Sequence, residues 1–351
     1  MIAGVSLRWK SRPSGLRPIE SDQPGFRPGS LQKSMQIFRN LEDVPANFGP
    51  TVVSVGNFDG VHRAHQEVVR HMAERAHALG GKAVVVTFEP HPLRILRPNV
   101  APKLLTPLQV KLALLEQTGV DAVLVLPFTR DLSMMSAEDF AREVLARALQ
   151  AREVHEGYNF HFGHKAQGNV DTLAELGKQC GFEARIFSEQ TLRGHHVSSS
   201  EIRKLIAEGN VSRARALLGR PFSIFSNPGR GRGYGQKYTV PTVNLARYDE
   251  LVPADGVYIT WLRINDECFE AVTNVGNRPT FGADSFAIES HLLNFHPIEL
   301  QPETPLEQIF LKRIRSEIKF PSVDALREQI AKDVHKARKY FRIQKELAAS
   351  N

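Results

Sequence analysis

The chain has 351 residues, 42% of them apolar and 24% charged; this is the balance of a globular protein too long for one ordinary core, and it suggests two domains. No stretch approaches the roughly 20 apolar residues of a bilayer span, and two cysteines, Cys180 and Cys268, exclude a disulfide scaffold or a CxxC zinc site and fit a reducing cytoplasm. The net charge is +7; residues 1–34 supply +4 of it, through Arg8, Lys10, Arg12, Arg17, Arg27 and Lys33 against Glu20 and Asp22, which leaves +3 for the rest. That mild excess suits phosphate-bearing ligands and is weak support for nucleic-acid binding.

Residues 1–34 hold four Pro and four Gly with no periodic apolar pattern, and are expected to be disordered. They contain no apolar core of a signal peptide, and Glu20 and Asp22 argue against a transit peptide. Met35 opens the first structured segment and is a candidate start of the working protein. From there, Thr51–Gly56, Lys82–Phe88, Asp121–Leu126 and Phe182–Phe187 read as buried parallel strands. Gln66–Leu79, Leu108–Gln117, Ala137–Gln150 and Val170–Cys180 have helical spacing between them. Thr106–Pro107 and Ser136 before Glu138 and Asp139 are helix-start signals. The alternation predicts an α/β domain with an open, Rossmann-like parallel sheet, whose ligands sit at the carboxyl ends of the strands. Short helices over Ser199–Glu208 and Val211–Leu218 follow. Residues 222–295, rich in Gly, Pro, Thr and Val with short alternating runs such as Gly256–Arg263 and Cys268–Asn274, predict an antiparallel β-barrel, and Val323–Leu347 a C-terminal helix. The expected organisation is an extension over 1–34, a first domain over 35–190, a helical connection over 191–218 and a second domain over 219–345.

Two segments carry chemistry. The run GNFDGVHRAH, Gly56–His65, follows a predicted strand and opens a helix. Free N–H groups and the positive dipole end of a helix hold phosphate there, and His62 and His65, three apart, can donate to oxygens as charge develops at an α-phosphorus. Two histidines alone would read as surface residues; the strand–Gly–helix setting favours phosphate chemistry. In RGRGYGQKYTVPTVN, Arg230–Asn244, Gly231, Gly233 and Gly235 allow the backbone to close over phosphates. After Pro241, the oxygens of Thr242 and Asn244 project to one side of an extended segment, a hard donor pair suited to Mg²⁺. The competing reading is an RGG-like tract binding RNA, but such tracts are longer and repetitive, and this one leads into strand-like sequence.

GNFDGVHRAH resembles the GxFDGxHxGH signature of bacterial nucleotidyltransferases. With TFEPHP (Thr87–Pro92), GYNFHFG (Gly157–Gly163) and SSSEIR (Ser198–Arg203) in that order, residues 35–340 resemble the bacterial bifunctional riboflavin kinase/FAD synthetases. The resemblance implies an FMN adenylyltransferase domain followed by a riboflavin kinase barrel, using riboflavin, FMN and ATP with Mg²⁺ and producing FAD. It implies that His62 and His65 stabilise the transferring α-phosphate beside Asn57, that Ser198, Ser199, Ser200 and Arg203 contact pyrophosphate, and that Asn159 seats FMN. SSSEIR also reads as a plain helix cap, which uses the same N–H groups. In the second domain, the resemblance places Thr242 and Asn244 on Mg-ATP (a PTxN motif), Glu289 of IESHLLNF as the base for the riboflavin 5′-hydroxyl, and Arg315 of LKRIRSEIKF on the flavin. Ala64 stands where the family has Gly, Ala166 where it often has Arg, and Asn294 where Asp is common. The alternatives are a nucleotidyltransferase of the same superfamily acting on another substrate, against which PTVN and IESHLL count, and a non-catalytic RNA-binding protein. The expected partners are small molecules, with neither nucleic acid nor membrane; oligomeric state is not legible.

Overall fold

The computed structural model describes residues 35–229, 242–277, 286–296 and 298–350. The extension over 1–34 and the loop glycines Gly231, Gly233 and Gly235 lie outside the described residues. Two compact units are present: the first runs to Lys204 and takes in Ala216–Arg220, and the second comprises Leu205–Arg215 and the chain from Pro221.

In the first unit the elements are β1 (Gln36–Phe38), β2 (Thr51–Val55), α1 (Arg63–Ala78), β3 (Lys82–Glu89), α2 (Pro92–Leu96), α3 (Leu108–Glu116), β4 (Ala122–Pro127), α4 (Arg130–Met134), α5 (Ala137–Asp139), β5 (Ala151–Gly157), α6 (Val170–Cys180) and β6 (Glu183–Phe187). Six strands pair in the order β1-β4-β3-β2-β5-β6, all parallel. The central strands are apolar on both faces, as burial between two helical layers requires. Val52, Val85 and Val123 join Val69 and Met72 of α1 in one core; Val53, Val84 and Leu124 join Val144, Leu145 and Leu173 in the other. Chain order reverses between β2 and β5, so the crevice at their carboxyl ends is the topological switch point where open α/β sheets bind ligands.

Three local expectations are corrected. The helix expected over Ala137–Gln150 is α5 followed by a π-helical stretch, Phe140–Ala148, closing with Leu149 N–H on the Val144 carbonyl. Ser136 caps it as expected, but Thr106 does not cap α3: its hydroxyl is held by Asp59 and accepts the Gly60 N–H. β5, unread in the sequence, is polar yet buried, because Glu153 is ringed by Arg75 (2.6 Å), Arg185 (2.9 Å) and His155 (2.9 Å). A small hairpin, β7 (Thr191–Leu192) with β8 (His195–His196), precedes α7 (Ser199–Ala207) and α8 (Val211–Leu218).

The second unit holds β9 (Phe222–Ser226), β10 (Thr242–Asn244), β11 (Gly256–Ile264), β12 (Glu267–Asn277), β13 (Phe286–Leu292), β14 (Leu306–Arg315) and α9 (Val323–Ala349). Its strands pair antiparallel in the order β10-β13-β12-β11-β14-β9. The two ends meet through a Pro228–Leu245 bridge, with Gly229 N–H on Asn244 and Ala246 N–H on Asn227, both 2.8 Å, so the sheet closes and leaves no free edge there. The barrel extends past the expected limit at 295, because β9 needs β14 as its neighbour. Alternation along the strands separates two surfaces. Inside, among Tyr258, Leu262, Val275, Ile288 and Phe310, lies a polar chain. Thr260 meets Thr273 (2.6 Å), Thr273 meets Ser290 (2.9 Å), and Gln308 bonds Ser290, Thr273 and the Trp261 carbonyl. Outside, Val257, Ile259 and Leu311 pack on Ala337 and Phe341 of α9.

Gln308 is fully buried and satisfies three groups at once. Gln308→Ala is expected to destabilise this unit by about 2–4 kcal/mol, since it leaves buried hydroxyls and a carbonyl unpaired and opens a cavity. Urea unfolding followed by Trp261 fluorescence measures the loss; a change below about 0.5 kcal/mol would show that the network contributes no stability.

Candidate active sites

The loop from β2 to α1 is organised by a buried carboxylate. Asp59, 2% exposed, accepts the N–H groups of Leu105 and Thr106 at 3.0 Å and the Thr106 hydroxyl at 3.3 Å, and pairs with Arg203 at 2.6 Å. Its own carbonyl accepts the Ser199 hydroxyl at 2.9 Å. Thus anchored, the loop carries Phe58 (φ 46°) and Val61 (φ 39°) in the left-handed region, costly for a β-branched residue and characteristic of functional turns.

His62 is the N-cap of α1, with Nδ1 accepting the His65 N–H at 3.4 Å. The two rings stack with centroids 3.6 Å apart. Burial, reinforced by Arg220 and Arg203 and opposed by Asp59, pulls His62 down to about 4. Burial, then the His62 and Lys111 charges, holds His65 well below the ordinary histidine range. Both are therefore neutral at pH 7, and His62, accepting at Nδ1, carries its proton on Nε2 as a donor. Nδ1 of His65 is buried without a protein partner, an orphan that a ligand would satisfy. Behind them, the buried Lys111 ammonium donates to the Thr87 hydroxyl at 3.3 Å, which donates to the Asn57 carbonyl at 3.3 Å. Burial lowers the Lys111 pKa. His91, N-cap of α2, is also pulled down to about 4, chiefly by burial.

A cavity of about 1210 Å³ opens here and brings together Asn57, His62, His65, Asn159, Ser198, Ser199 and Ser200 from the expected set, with Ala64 and Ala166 on its wall. Aromatic side chains, among them Phe88, Phe128, Phe160 and Phe162, line another part, a surface suited to a flat heteroaromatic ring. The Ser198 hydroxyl accepts the Glu201 N–H at the start of α7, so the cap read in SSSEIR is formed, and Ser198–Ser200 also line the cavity. Arg203 stands off the cavity wall; its Nε donates to the Lys103 carbonyl (2.9 Å) and its Nη2 to Asp59. Asp59, Lys111 and His91 escaped the sequence reading. Asp59 lies within GNFDGVHRAH, but the partners that reveal its role are more than 40 residues away in sequence.

In the second unit, Asn244 of β10 lies opposite Glu289 of β13, which lies opposite Asn274 of β12, and Thr242 lies opposite His291. Since Val243 and Ser290 are interior, Thr242, Asn244 and Glu289 share the outer face. Arg315, at the end of β14, pairs through Nε with the buried Asp333 of α9 at 2.8 Å, donates to the Ser316 carbonyl and stands over Phe320. Gln329 holds the other Asp333 oxygen at 2.9 Å. Hydroxyl and amide oxygens beside a carboxylate fit a hard cation; among the described residues no three His, Cys, Asp or Glu side chains form a metal cluster.

A parallel sheet with a histidine-bearing helix N-terminus at its switch point, followed by a closed antiparallel barrel presenting Thr, Asn and Glu, defines a nucleotidyltransferase joined to a small-molecule kinase. Residues 44–201 match the FAD synthetase family and residues 218–341 the riboflavin kinase family. The chain belongs to the bifunctional riboflavin kinase/FMN adenylyltransferases. It is 34% identical to the one from Haemophilus influenzae, over 88% of this chain and 99% of that protein, and 33% identical to the one from Escherichia coli strain K12, over 89% and 99%. It also resembles a crystal structure described as a macrolide-efflux protein from Streptococcus pneumoniae, at TM-score 0.77 and 26% identity, over 87% of this chain and 98% of that one. No helix among the described residues is long and apolar enough to cross a membrane.

A histidine with a depressed folded pKa adds stability that is fully present above its unfolded value and is lost as pH falls through the window between about 6.5 and 4. For His62 the loss at pH 5 is expected to be about 2 kcal/mol. Imidazole NMR should show its ring neutral down to about pH 5; a midpoint near 6.5 would contradict the buried, uncharged geometry.

Proposed function

We propose that the second unit phosphorylates riboflavin to FMN and that the first adenylylates FMN to FAD, both from ATP. The observation that carries the adenylyl reading is the stacked neutral pair His62–His65 at the N-terminus of α1, in a cavity with an aromatic wall. A phosphate oxygen of FMN attacks the α-phosphorus of ATP, the bond to the α–β bridging oxygen breaks, and pyrophosphate leaves. An anionic phosphate needs no base, so catalysis is alignment and charge stabilisation. The Nε2–H of His62, His65 and the free N–H groups of α1 stabilise the α-phosphoryl oxygens, with Asn57 beside them. Ser198, Ser199 and Ser200 at the start of α7 hold the departing pyrophosphate, with Arg203 orienting that helix start through Asp59. Asn159 seats the flavin.

In the barrel, Glu289 accepts the proton of the riboflavin 5′-hydroxyl as that oxygen attacks the γ-phosphorus, and ADP leaves with the β–γ bridging oxygen. Thr242 and Asn244 would hold Mg²⁺, which neutralises phosphate charge when bound. Arg315, fixed by Asp333, would contact the flavin. Riboflavin, ATP and FMN are the partners in this reading; the +3 balance after residue 34 gives no basis for a nucleic-acid partner, and the low cysteine content suits a cytoplasmic enzyme.

Thr242→Ala with Asn244→Ala is expected to abolish FMN formation from riboflavin while FAD formation from supplied FMN persists; loss of both in a folded protein would refute separate sites. Glu289→Gln should lower the kinase kcat by roughly 10²–10⁴-fold with little change in riboflavin affinity. His62→Ala with His65→Ala should eliminate FAD synthesis and spare FMN synthesis. Each is read by chromatographic separation of riboflavin, FMN and FAD.

A further inference from the structure

Glu156 takes part in none of the steps above. It is 4% exposed, near the carboxyl end of β5, and lines the cavity with Val55, Gly56 and Asn57. β2 and β5 pair through Thr51–Ala151, Val52–Glu153 and Val53–Val154, then part to form the switch-point crevice. Where they part, Val55 loses a main-chain partner on β5, and its N–H donates instead to Glu156 Oε1 at 2.5 Å. Among the described residues that is the carboxyl's one hydrogen bond, and Glu156 is one of the residues lining the cavity. Val55 is one residue before Gly56, so the carboxyl stands at the root of the phosphate loop.

A carboxylate there would face the anionic ligands of the cavity. The titratable groups sharing the wall are His62 and His65 on α1, Arg97 after α2, Arg130 at the start of α4, Tyr158, His161, His164 and Lys165 after β5, and Glu189 and His196 beyond β6, and none of them bonds Glu156. On its own strand, Glu153 is paired with Arg75, Arg185 and His155. Without a cation partner, burial drives the Glu156 pKa well above the ordinary carboxyl range. As an acid it is no longer repelled by phosphate and gains a donor.

We propose that Glu156 is a substrate-binding residue of the adenylyl-transfer site acting as a carboxylic acid, with one oxygen accepting the Val55 N–H and the other donating its O–H to a phosphate-bearing substrate. The inference rests on the adenylyltransferase reading of the first unit.

The test uses the full chain with E156V and E156Q, measuring FAD formation from FMN and ATP, and FMN formation from riboflavin as the control. E156V should lower kcat/KM for FAD formation by about tenfold or more, mainly through KM, with FMN formation unchanged. E156Q, whose amide oxygen accepts and whose NH₂ donates, should recover to within about threefold at pH 7. With rising pH the wild-type KM should climb as the acid ionises, while that of E156Q stays flat. An unimpaired E156V, or an E156Q as impaired as E156V, overturns the proposal; should E156V fail to fold, parallel pH profiles for wild type and E156Q overturn it. A wild-type chain that makes FMN but no FAD refutes the adenylyl reading itself, which distinguishes the two failures.

Discussion

The loop between β2 and α1 in the first unit depends on one buried carboxylate. Asp59 makes a full set of hydrogen bonds to Leu105, Thr106 and Arg203. This is what allows a charged group to sit 2% exposed inside an apolar layer. Removing one partner from such a site costs about 3–5 kcal/mol, because the other charge stays buried and alone. The same group fixes the backbone of a loop that holds Phe58 and Val61 at positive φ, and its main-chain carbonyl receives Ser199. Two helix N-termini, those of α1 and α7, are thereby referenced to one residue. Arg203 follows from this: its bonds to Asp59 and Lys103 make it part of the frame that places Ser198–Ser200.

The barrel solves a different problem with the period of the strand. Its interior mixes apolar side chains with a hydroxyl–amide chain whose members bond one another. The opposite face carries Thr242, Asn244 and Glu289 in adjacent register. A one-residue slip of β13 against β10 would send Glu289 inward and Ser290 outward, destroying the site and the core network together. Register is thus fixed by stability, and the chemistry inherits it.

How much of this could be read in the sequence follows the range of the forces involved. The parallel strands and α1 are legible because apolar runs and helical spacing are local signals. His62, His65, Thr242 and Asn244 stand out because motif spacing is local too. β5 is hidden because Glu153 and Glu156 read as surface residues; only Arg75, 78 positions earlier, and the Val55 N–H, 101 positions earlier, make them interior. Thr106 has the local pattern of a helix cap but is recruited by Asp59, 47 positions away, and that bond outweighs local capping preference. The barrel runs past residue 295 for the same reason: β14 is required by closure, a property of the whole sheet.

The two reactions attack different phosphorus atoms of the same nucleotide, and the two units differ accordingly. Transfer at the γ-phosphorus uses a neutral alcohol as nucleophile, which must lose a proton, so a carboxylate and hard oxygen donors on a rigid sheet face suit it. Transfer at the α-phosphorus uses a phosphate already anionic, so a base would be superfluous and a negative wall harmful. What that site needs is donors carrying no negative charge: N–H groups at helix starts and imidazoles stripped of their charge by burial. In the proposed reaction, uncharged donors of this kind would place binding energy where charge shifts onto the bridging oxygen during transfer, instead of spending it equally on ground state and products.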